Sequence, residues 1–359
     1  MRLGPSARVL SAASSWQCLS SSWLGGRVLA DVVPLTRGRV TWSTSRRVQA
    51  DLKLTVPRFT VEAGRTVDWL PTGPQAALAR FGQVLDASIL AEGVAARLGR
   101  FLITEWKQTD GAIEVSAAGL LQTAADDRLL TATAPRDDGT LKSEFLRLLP
   151  GYMTAQFHPA LQDRACPKGM EWSEDRLAAL YEIADAWPAR LREDSWGQVQ
   201  VLPPLTPITT KPVVSLTDGV GGTVITAPLT DTREGGYNVF VARSSAPDVD
   251  AQAIAQVSGG PMDPNGDYRP VPKFFASPLL LTEAQCLAAA ITMRDESVRS
   301  SRIRRVTMAP DPRIELDDPV ELIVDKGTVR ETRDWGRVVG VDMPLTVADG
   351  DMRVDVAIS

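Results

Sequence analysis

The segment RVQADLKLTVP, residues 47–57, shows the pattern that decides the fold class. From Val48 to Val56 every second side chain is apolar, and polar side chains stand between them. A period of two predicts an antiparallel β-strand with one buried face, and Pro57 predicts its end. The fold around this strand is therefore expected to contain an antiparallel sheet with one face turned to a core.

Strand signals continue on both sides of this segment. GRVLADVVPL and GRVTWS precede it, and GRFLITEWKQTDGAIEVSAAGLL follows it with a predicted hairpin turn at residues 109–111. Residues 5–20 have the pattern of a short amphipathic helix. Residues 1–122 are therefore predicted to form an N-terminal β-barrel-like domain.

The sequence pattern changes after residue 122, because apolar residues then recur at helical spacing. LKSEFLRLLPGY and SEDRLAALYEIADAW predict two helices, and Ser173 is the predicted N-cap of the second. LREDSWGQVQV then predicts two short strands around a turn at residues 194–197. Residues 123–204 are therefore predicted to form an α+β middle module.

The remaining chain, residues 205–359, combines one helix with further strands. Its first part is rich in Pro, Thr and Gly and predicts a linker or long loop. A helix is predicted near residues 282–299, with a capping box formed by Thr282 and Gln285. Its predicted apolar stripe consists of Cys286, Leu287, Ala290, Ile291 and Met293.

Two alternating runs, residues 339–347 and 352–358, predict a hairpin with one buried face near the C-terminus. Residues 205–359 are therefore predicted to form a second β-barrel-like domain that includes the helix. The expected fold class is mainly β with an α+β insertion: two small β-barrel-like domains and a helix-containing middle module.

Composition excludes several classes of function. The net charge is −5, from 39 basic and 44 acidic residues, so no broad basic face for nucleic acid is expected. The three cysteines, Cys18, Cys166 and Cys286, show no CxxC spacing and are expected to be small core residues made in a reducing compartment. Neither a signal peptide nor a membrane helix is expected, because no long apolar run occurs.

The single histidine, His158, limits the catalytic chemistry. It lies in FHPAL, and the sequence contains no nucleophile-elbow motif, so a triad is not expected and His158 is predicted to be structural or exposed. Zinc sites built from several histidines or cysteines are excluded as well. No catalytic, cofactor-binding or metal-binding residue is predicted.

Two glycine-containing segments imitate ligand-binding motifs. DPNGDY, residues 263–268, has the spacing that opens a calcium loop, but Tyr268 and Phe274 stand where glycine and glutamate are required. It is predicted to be a Pro-Asn-Gly turn. DGVGGT, residues 218–223, lacks the lysine of a phosphate-binding loop and is predicted to be a flexible loop.

Carbohydrate chemistry stays open as an alternative, because 44 acids offer many carboxylate pairs and a glycoside hydrolase needs only two. The sequence nominates no pair. Tryptophan stacks on sugars but also fills cores and subunit interfaces, and dispersal along the chain favours packing. The nine tryptophans are Trp16, Trp23, Trp42, Trp69, Trp106, Trp172, Trp187, Trp196 and Trp335.

The acidic segment APDPRIELDDPVELIV, residues 309–324, is predicted to be a stiff approach to a β-strand. Proline favours an extended conformation in the residue before it. Asp317 and Asp318 should point in different directions on an extended backbone, which is a poor start for chelating one metal ion. Both acids are therefore expected to lie on a surface approach to the strand.

The order of these elements resembles the bacteriophage tail hub, or baseplate hub, family, which includes minor tail proteins of long-tailed phages. In the last domain the residues that carry the resemblance are Pro312, Ile314, Leu316, Asp317 or Asp318, Val320, Leu322 and Val324, with Pro319 at an atypical position. RGRVTWSTSRRVQADLKLTV resembles the first barrel of such hubs, and LREDSWGQVQV resembles their inserted module. GGYNVFVARS, residues 235–244, looks like the strand that re-enters a barrel.

The resemblance implies a non-enzymatic structural protein at the tail tip of a virion, made in the host cytoplasm. It implies a homotrimer whose two barrels per chain form a pseudo-sixfold ring between a sixfold tube and a threefold tip. Expected partners are the distal tail protein, the tape measure protein and tail-tip or fibre proteins, with no cofactor, no sequence-specific nucleic acid and no membrane insertion. The alternative is a β-rich cell-wall hydrolase that uses paired carboxylates.

Overall fold

The computed structural model describes residues 1–12, 16–206, 208, 212–300 and 302–358. Its N-terminal region consists almost entirely of antiparallel strands, as the alternation predicts. The elements are α1 (Ala7–Ala12), β1 (Gln17–Leu24), β2 (Arg27–Ala30), β3 (Arg37–Ser43), β4 (Ala50–Pro57), β5 (Phe59–Glu62), β6 (Arg65–Asp68), β7 (Val84–Ala91), β8 (Val94–Thr109) and β9 (Ala112–Gly119).

The middle of the chain contains three helices and a small sheet. These elements are α2 (Leu121–Asp126), α3 (Leu141–Leu148), β10 (Ala155–Phe157), α4 (Arg176–Ala186), β11 (Arg190–Glu193) and β12 (Val199–Leu202). Both predicted helices are confirmed, but Ser173 is not the cap of α4. Asp175 accepts the backbone N–H of Ala178 and forms the N-cap instead. Three cap-type or acidic residues precede α4 in sequence, so the cap position was ambiguous.

The last part of the chain adds ten strands and one long helix. They are β13 (Val214–Thr217), β14 (Val224–Thr226), β15 (Leu229–Asp231), β16 (Val239–Ser244), β17 (Gln252–Gln256), β18 (Pro272–Ser277), α5 (Glu283–Ser300), β19 (Arg302–Met308), β20 (Pro319–Val324), β21 (Thr332–Pro344) and β22 (Met352–Ile358). A 3₁₀ turn, Val347–Asp349, joins the last two strands. The mainly β fold class with helical insertions is confirmed.

Strands from both ends of the chain form one sheet. Within the described residues this sheet contains 14 strands, and its main path runs β14-β19-β22-β21-β3-β4-β9-β8-β7-β1-β2. The connection between the two ends is the antiparallel pairing of β3 with β21, in which Val40 lies opposite Met343 and Trp42 opposite Val341. We call this pairing the β3–β21 seam. It makes the two terminal regions neighbours within a single chain.

The core is divided into two hydrophobic clusters. The first contains side chains from both terminal regions, among them Leu52 and Val354. The second combines the middle helices with residues near α5, among them Phe145 and Cys286. The helix α5 packs mainly on β16 and β17 and also contacts α4, so this cluster joins the C-terminal part of the chain to the middle module. The domain boundaries at residues 122 and 204 stay a prediction.

The N-terminal helix is shorter than predicted, and the prediction for the strand at 235–244 is wrong. The helix α1 spans Ala7–Ala12, and β1 begins at Gln17 because residues 17–23 pair with β7; residues 13–15 lie outside the described residues. The strand β16 does not re-enter the barrel. It forms a separate three-stranded sheet with β17 and β18, and Phe240 on it packs in the second cluster.

The apolar stripe of α5 is narrower than predicted. Cys286 and Ala290 are fully buried, but Leu287 is 44% exposed and Ile291 is 36% exposed. Ala289 is buried in their place. The second cluster therefore contacts α5 through its small residues, and part of its larger apolar surface faces outward.

The C-terminal hairpin is confirmed with a local change of face. A β-bulge between Val338 and Gly340 shifts the alternation, so Val338 is buried where Val339 was predicted to be. Val347 lies in the 3₁₀ turn and is exposed. A bulge moves side chains to the opposite face, which a regular period of two cannot anticipate.

Candidate functional site

The acidic segment 309–324 lies where the middle module meets the C-terminal strands. Asp317 accepts hydrogen bonds from Arg192 at 2.6 and 2.9 Å, and it also pairs with Arg190. The guanidinium of Arg337 donates to the main-chain oxygen of Asp317 at 2.8 Å. We call Asp317, Arg190, Arg192 and Arg337 the arginine junction. It links β11 of the middle module to the residue region before β20.

Charge pairing decides the ionisation of Asp317. Burial by itself raises the pKa of this carboxyl group, but the hydrogen bond and charge of Arg192, together with the charge of Arg190, bring the pKa below its ordinary value. The carboxylate is therefore ionised and neutralised by arginine. A group in this state is a poor proton donor and has few lone pairs left for a metal ion.

Asp318 points elsewhere, as predicted, but it is not on the surface. It is only 6% exposed, and it accepts hydrogen bonds from the backbone N–H of Glu315 at 2.8 Å and from the amino group of Met1 at 2.6 Å. Burial raises its pKa. The divergence arises from a left-handed backbone at Asp317, with φ of 70°, and not from an extended chain. The prediction of a surface strand approach is thus wrong, because both acids are interior contacts.

A cavity of about 370 Å³ adjoins the arginine junction. Glu193 on β11 lines it and accepts the backbone N–H groups of Leu120 and Leu121 at 2.8 and 3.1 Å. Burial raises the pKa of Glu193 to about 7, against the effect of these two hydrogen bonds. The sequence gives no signal for Glu193, because RLRE, residues 190–193, has the pattern of an ordinary short strand with charged residues around one apolar residue.

Chemistry at this cavity is limited by how its groups are used. Three of its interior carboxylates are already engaged: Asp317 is paired with arginines, Glu193 accepts main-chain N–H groups, and Asp318 accepts from the amino group of Met1 and the backbone N–H of Glu315. Among the described residues, no group of three or more His, Cys, Asp or Glu side chains is arranged to hold a metal ion. The arrangement joins parts of the chain and offers no organised nucleophile.

The other sequence candidates lie apart from this cavity. His158 is exposed, and its Nδ1 accepts the backbone N–H of Ala160. Asp263 accepts backbone N–H groups from Gly259 and Asn265, which confirms a turn in DPNGDY. Asp218 at the start of DGVGGT accepts backbone N–H groups from Asp325 and Lys326, so that part of the loop is anchored. None of the described helices is long and apolar enough to span a membrane.

The cysteines and most tryptophans follow the packing prediction. The three thiols are free; Cys286 is buried, and Cys18 and Cys166 are partly buried. Trp172, Trp69 and Trp187 are buried at 1%, 8% and 6% exposure, respectively. Trp196 is different, since it is 63% exposed.

Strand edges are the surfaces at which the large sheet can meet another protein. The long alternating runs, residues 48–56 and 339–358, have neighbours on both sides: β4 lies between β3 and β9, and β22 lies between β19 and β21. The edges of β4 and β22 are thus covered within the chain. The main path of the described sheet ends instead at β2 and at β14, and β15 lies beside β14 on β19.

Known proteins resemble this chain in structure but not in sequence. No family model matches the sequence, and no curated protein matches it in sequence. Among solved structures, the chain is similar to a tail protein from Neisseria meningitidis MC58, with a TM-score of 0.64 and 12% identity over 96% of this chain and 97% of that one.

Two further structures share the arrangement. The 43 kDa tail protein of prophage MuSo2 from Shewanella oneidensis gives a TM-score of 0.62 and 14% identity, covering 96% of this chain and 100% of the other. A chain of the Francisella PdpA-VgrG complex gives 0.53 and 8%, covering 97% of this chain and 58% of the other. At these identities the likeness concerns the fold. Over almost its whole length, the chain therefore has the fold of phage tail proteins.

Proposed function

We propose that this chain is a structural hub at the tip of a phage-type tail, and that it acts by assembly and not by catalysis. The observation that carries the proposal is the 14-stranded sheet, in which two β-rich regions lie side by side through the β3–β21 seam. The near-complete overlap with tail proteins supports it, since 96% of this chain aligns with 97% and 100% of two such proteins.

The assembly we propose is a homotrimeric ring with two β-regions from each chain. The exposed edge strands support head-to-tail contacts: the outward residues of β2 include Val28 at 37% exposure, and those of β15 include Leu229 at 40% exposure. Unpaired strand edges are disposed to pair with other chains. A contact between two different edges of identical chains is heterologous, and it generates a closed ring when the rotation permits.

In this ring the six β-regions would face a sixfold tail tube, and the threefold symmetry would match the tip. The partners we propose are the distal tail protein, the tape measure protein and tail-tip or fibre proteins, in a virion. The composition of the two edge strands suits protein partners, because the exposed apolar residues Val28 and Leu229 have the charged residues Arg27 and Asp231 close by. Charge at the rim of an apolar contact gives orientation and specificity.

The experiment that tests the role is imaging of tail particles that contain this chain. We expect three copies around the tail axis at the tip, each contributing both β-regions to one ring. Purified protein should also release no sugar or peptide fragments from bacterial cell walls, measured by reducing-end and amine assays. Steady fragment release by pure protein, lost in Glu193→Gln, would instead assign a hydrolase.

A further inference from the structure

An open groove separates the N-terminal strands from the middle module, away from the arginine junction. It has a volume of about 1010 Å³. One side consists of β8 and the β1–β2 turn, and the other consists of α2 and two loops of the middle module. Two exposed aromatic side chains line it: Tyr152 is 69% exposed and Trp196 is 63% exposed. We call it the aromatic groove.

The two turns that carry these aromatic residues lead into paired strands. The strands β10 and β12 are parallel, with Ala155 opposite Val199, and the N–H of Val199 donates to the oxygen of Thr154 at 2.9 Å. Tyr152 and Trp196 each stand three residues before this pair, in the turns that lead into β10 and β12, and both line the groove. Adjacent strands lie about 4.8 Å apart, which places the two loops side by side.

Trp196 is held in place and still has a large exposed surface. The guanidinium of Arg97 lies 3.6 Å from the centroid of its ring, and Arg97 is itself paired with Asp86. The backbone N–H of Trp196 donates to the carboxylate of Asp194 at 2.8 Å, which fixes the turn that carries the ring. One ring face is therefore occupied by a cation, and the ring is presented in a fixed orientation. A fixed aromatic side chain loses little conformational entropy when a ligand binds.

Polar side chains around the rings offer both donors and acceptors. Asp126 and Gln122 on α2 are linked by a hydrogen bond of 2.8 Å, and Thr154 lies beside Tyr152. Arg80 and Arg100 line the opposite side. Pairs of donors and acceptors beside a flat ring match a pyranose sugar, whose C–H face packs on an aromatic face while its hydroxyl groups extend from the edge.

A polypeptide strand is the competing occupant, and the main chain of the groove argues against it. The strand β8 pairs with β7 on one side and with β9 on the other, so its backbone groups are already used. Binding by strand addition requires a free edge. Recognition in this groove must therefore come from side chains and ring faces.

We propose that the aromatic groove binds a chain of pyranose sugars, with Trp196 and Tyr152 as stacking platforms. This binding does not depend on ring assembly, because none of the residues that line the groove belongs to β2, β14 or β15. An open groove suits several consecutive sugars, and binding would hold the protein on a polysaccharide surface without cleaving it.

Titration calorimetry of the full-length protein with chitohexaose, cellohexaose and maltohexaose tests the proposal. We expect at least one hexasaccharide to bind with a Kd of about 1 mM or lower. Trp196→Ala and Tyr152→Ala should each weaken that binding by about tenfold, and Trp196→Phe should retain most of it. Trp335→Ala, a matched change at a tryptophan that is 40% exposed outside the groove, should leave the Kd unchanged.

Two results would overturn the proposal. The first is absence of binding by all three hexasaccharides at about 10 mM, a concentration far above the expected Kd. The second combines two observations: particles that carry Trp196→Ala lose another tail protein, and no hexasaccharide competes with that protein for the groove. Together they would assign the groove to a polypeptide. Circular dichroism of each variant establishes that a loss of binding is not a loss of folding.

Discussion

Arg39 on β3 binds Asp342 on β21 across the β3–β21 seam, with a distance of 2.6 Å between its Nε and the carboxylate oxygen. The same guanidinium donates to the main-chain oxygens of Asp349 and Asp351 at 2.6 and 2.9 Å. One side chain from near the start of the chain thus binds three residues near its end. The seam that joins the two β-regions is therefore fixed by side chains as well as by strand pairing.

Removing this guanidinium should loosen the seam. We expect Arg39→Ala to lower the free energy of unfolding by about 1–3 kcal/mol, since hydrogen bonds from a charged group to partly buried acceptors are lost together. Urea unfolding followed by circular dichroism measures the change. Arg305→Ala is the control, because Arg305 and Asp355 form an exposed pair at 3.9 Å; its effect should stay within about 0.5 kcal/mol. Equal effects of the two substitutions would contradict a special role for Arg39.

The middle module depends on a buried carboxylate. Glu144 is fully buried and accepts hydrogen bonds from Arg147, from the indole N–H of Trp172 and from the backbone N–H of Arg136. Burial raises its pKa, but these donors outweigh burial and lower the pKa below its ordinary value of 4.5. The ionised form therefore stabilises the fold above that value, and this contribution is lost as pH falls through the lower pKa of the folded state.

We expect Glu144→Gln to lower the unfolding free energy at pH 7 by about 3 kcal/mol, because Arg147 and Trp172 lose a charged acceptor. Tryptophan fluorescence during urea unfolding at pH 7 and in acid measures it, and the difference from wild type should shrink in acid. Glu171→Gln is the matched control in an exposed position of the same module. A wild-type-like stability of Glu144→Gln at pH 7 would show that the network is not required.

Glu193 should have the opposite pH dependence. Its pKa is about 7 in the folded protein and 4.5 ordinarily, so the folded state takes up a proton more readily than the unfolded state. The unfolding free energy should therefore fall as pH rises from about 4.5 through 7. We expect Glu193→Gln to be more stable than wild type at pH 8, by on the order of 1–3 kcal/mol, and to lose that advantage near pH 5. An advantage that is the same at both pH values would refute the raised pKa.

The arginine junction should not bind divalent metal ions. We expect calcium or magnesium at about 5 mM to leave the melting temperature unchanged. This concentration exceeds the dissociation constants of the weakest extracellular calcium sites, which are about 1 mM. Asp317→Asn should lower the unfolding free energy by roughly 3 kcal/mol, because Arg190 and Arg192 lose their counter-charge. Asp318→Ala should leave metal affinity at background, and Asp267→Asn, at an exposed acid, serves as the control. A metal-dependent gain in melting temperature that Asp317→Asn abolishes would show that an ion is bound there.

Local features of the fold could be predicted from the sequence, and long-range ones could not. The hairpin around residues 109–111 and the helix α4 follow from turn chemistry and apolar spacing over a few neighbouring residues. Alternation places Leu52 on a buried face but does not say which strand lies beside β4. The β3–β21 seam joins residues about 300 positions apart, so no local pattern announces it.

The candidate sites show the same limit. Asp317 was correctly separated from Asp318, yet its arginine partners lie about 125 residues earlier and were not anticipated. Tyr152 and Trp196 are 44 positions apart in sequence, and they line one groove because the turns that carry them lead into the paired strands β10 and β12. The distance between these two aromatic residues in the sequence therefore gives no indication that they line the same groove.

The edge strands can be tested separately from the core. We expect Val28→Lys on β2 and Leu229→Lys on β15 to keep the melting temperature within about 2 °C, because both side chains are partly exposed. Each should reduce ring formation, since a lysine on an edge strand opposes pairing with another chain. Val329→Lys in an exposed turn is the control. Ring formation that is equal in all three variants would exclude these edges from the interface.

The central claim is that two β-regions of one chain lie side by side in a threefold ring. A cryo-electron microscopy reconstruction of assembled tails, made without imposed symmetry at the tip, measures this most directly. We expect three copies of the chain around the axis and six β-regions in the ring, with the β3–β21 seam inside each copy and a β2 edge facing the next copy. A single copy at the tip, or six copies that each place only one β-region in the ring, would contradict it.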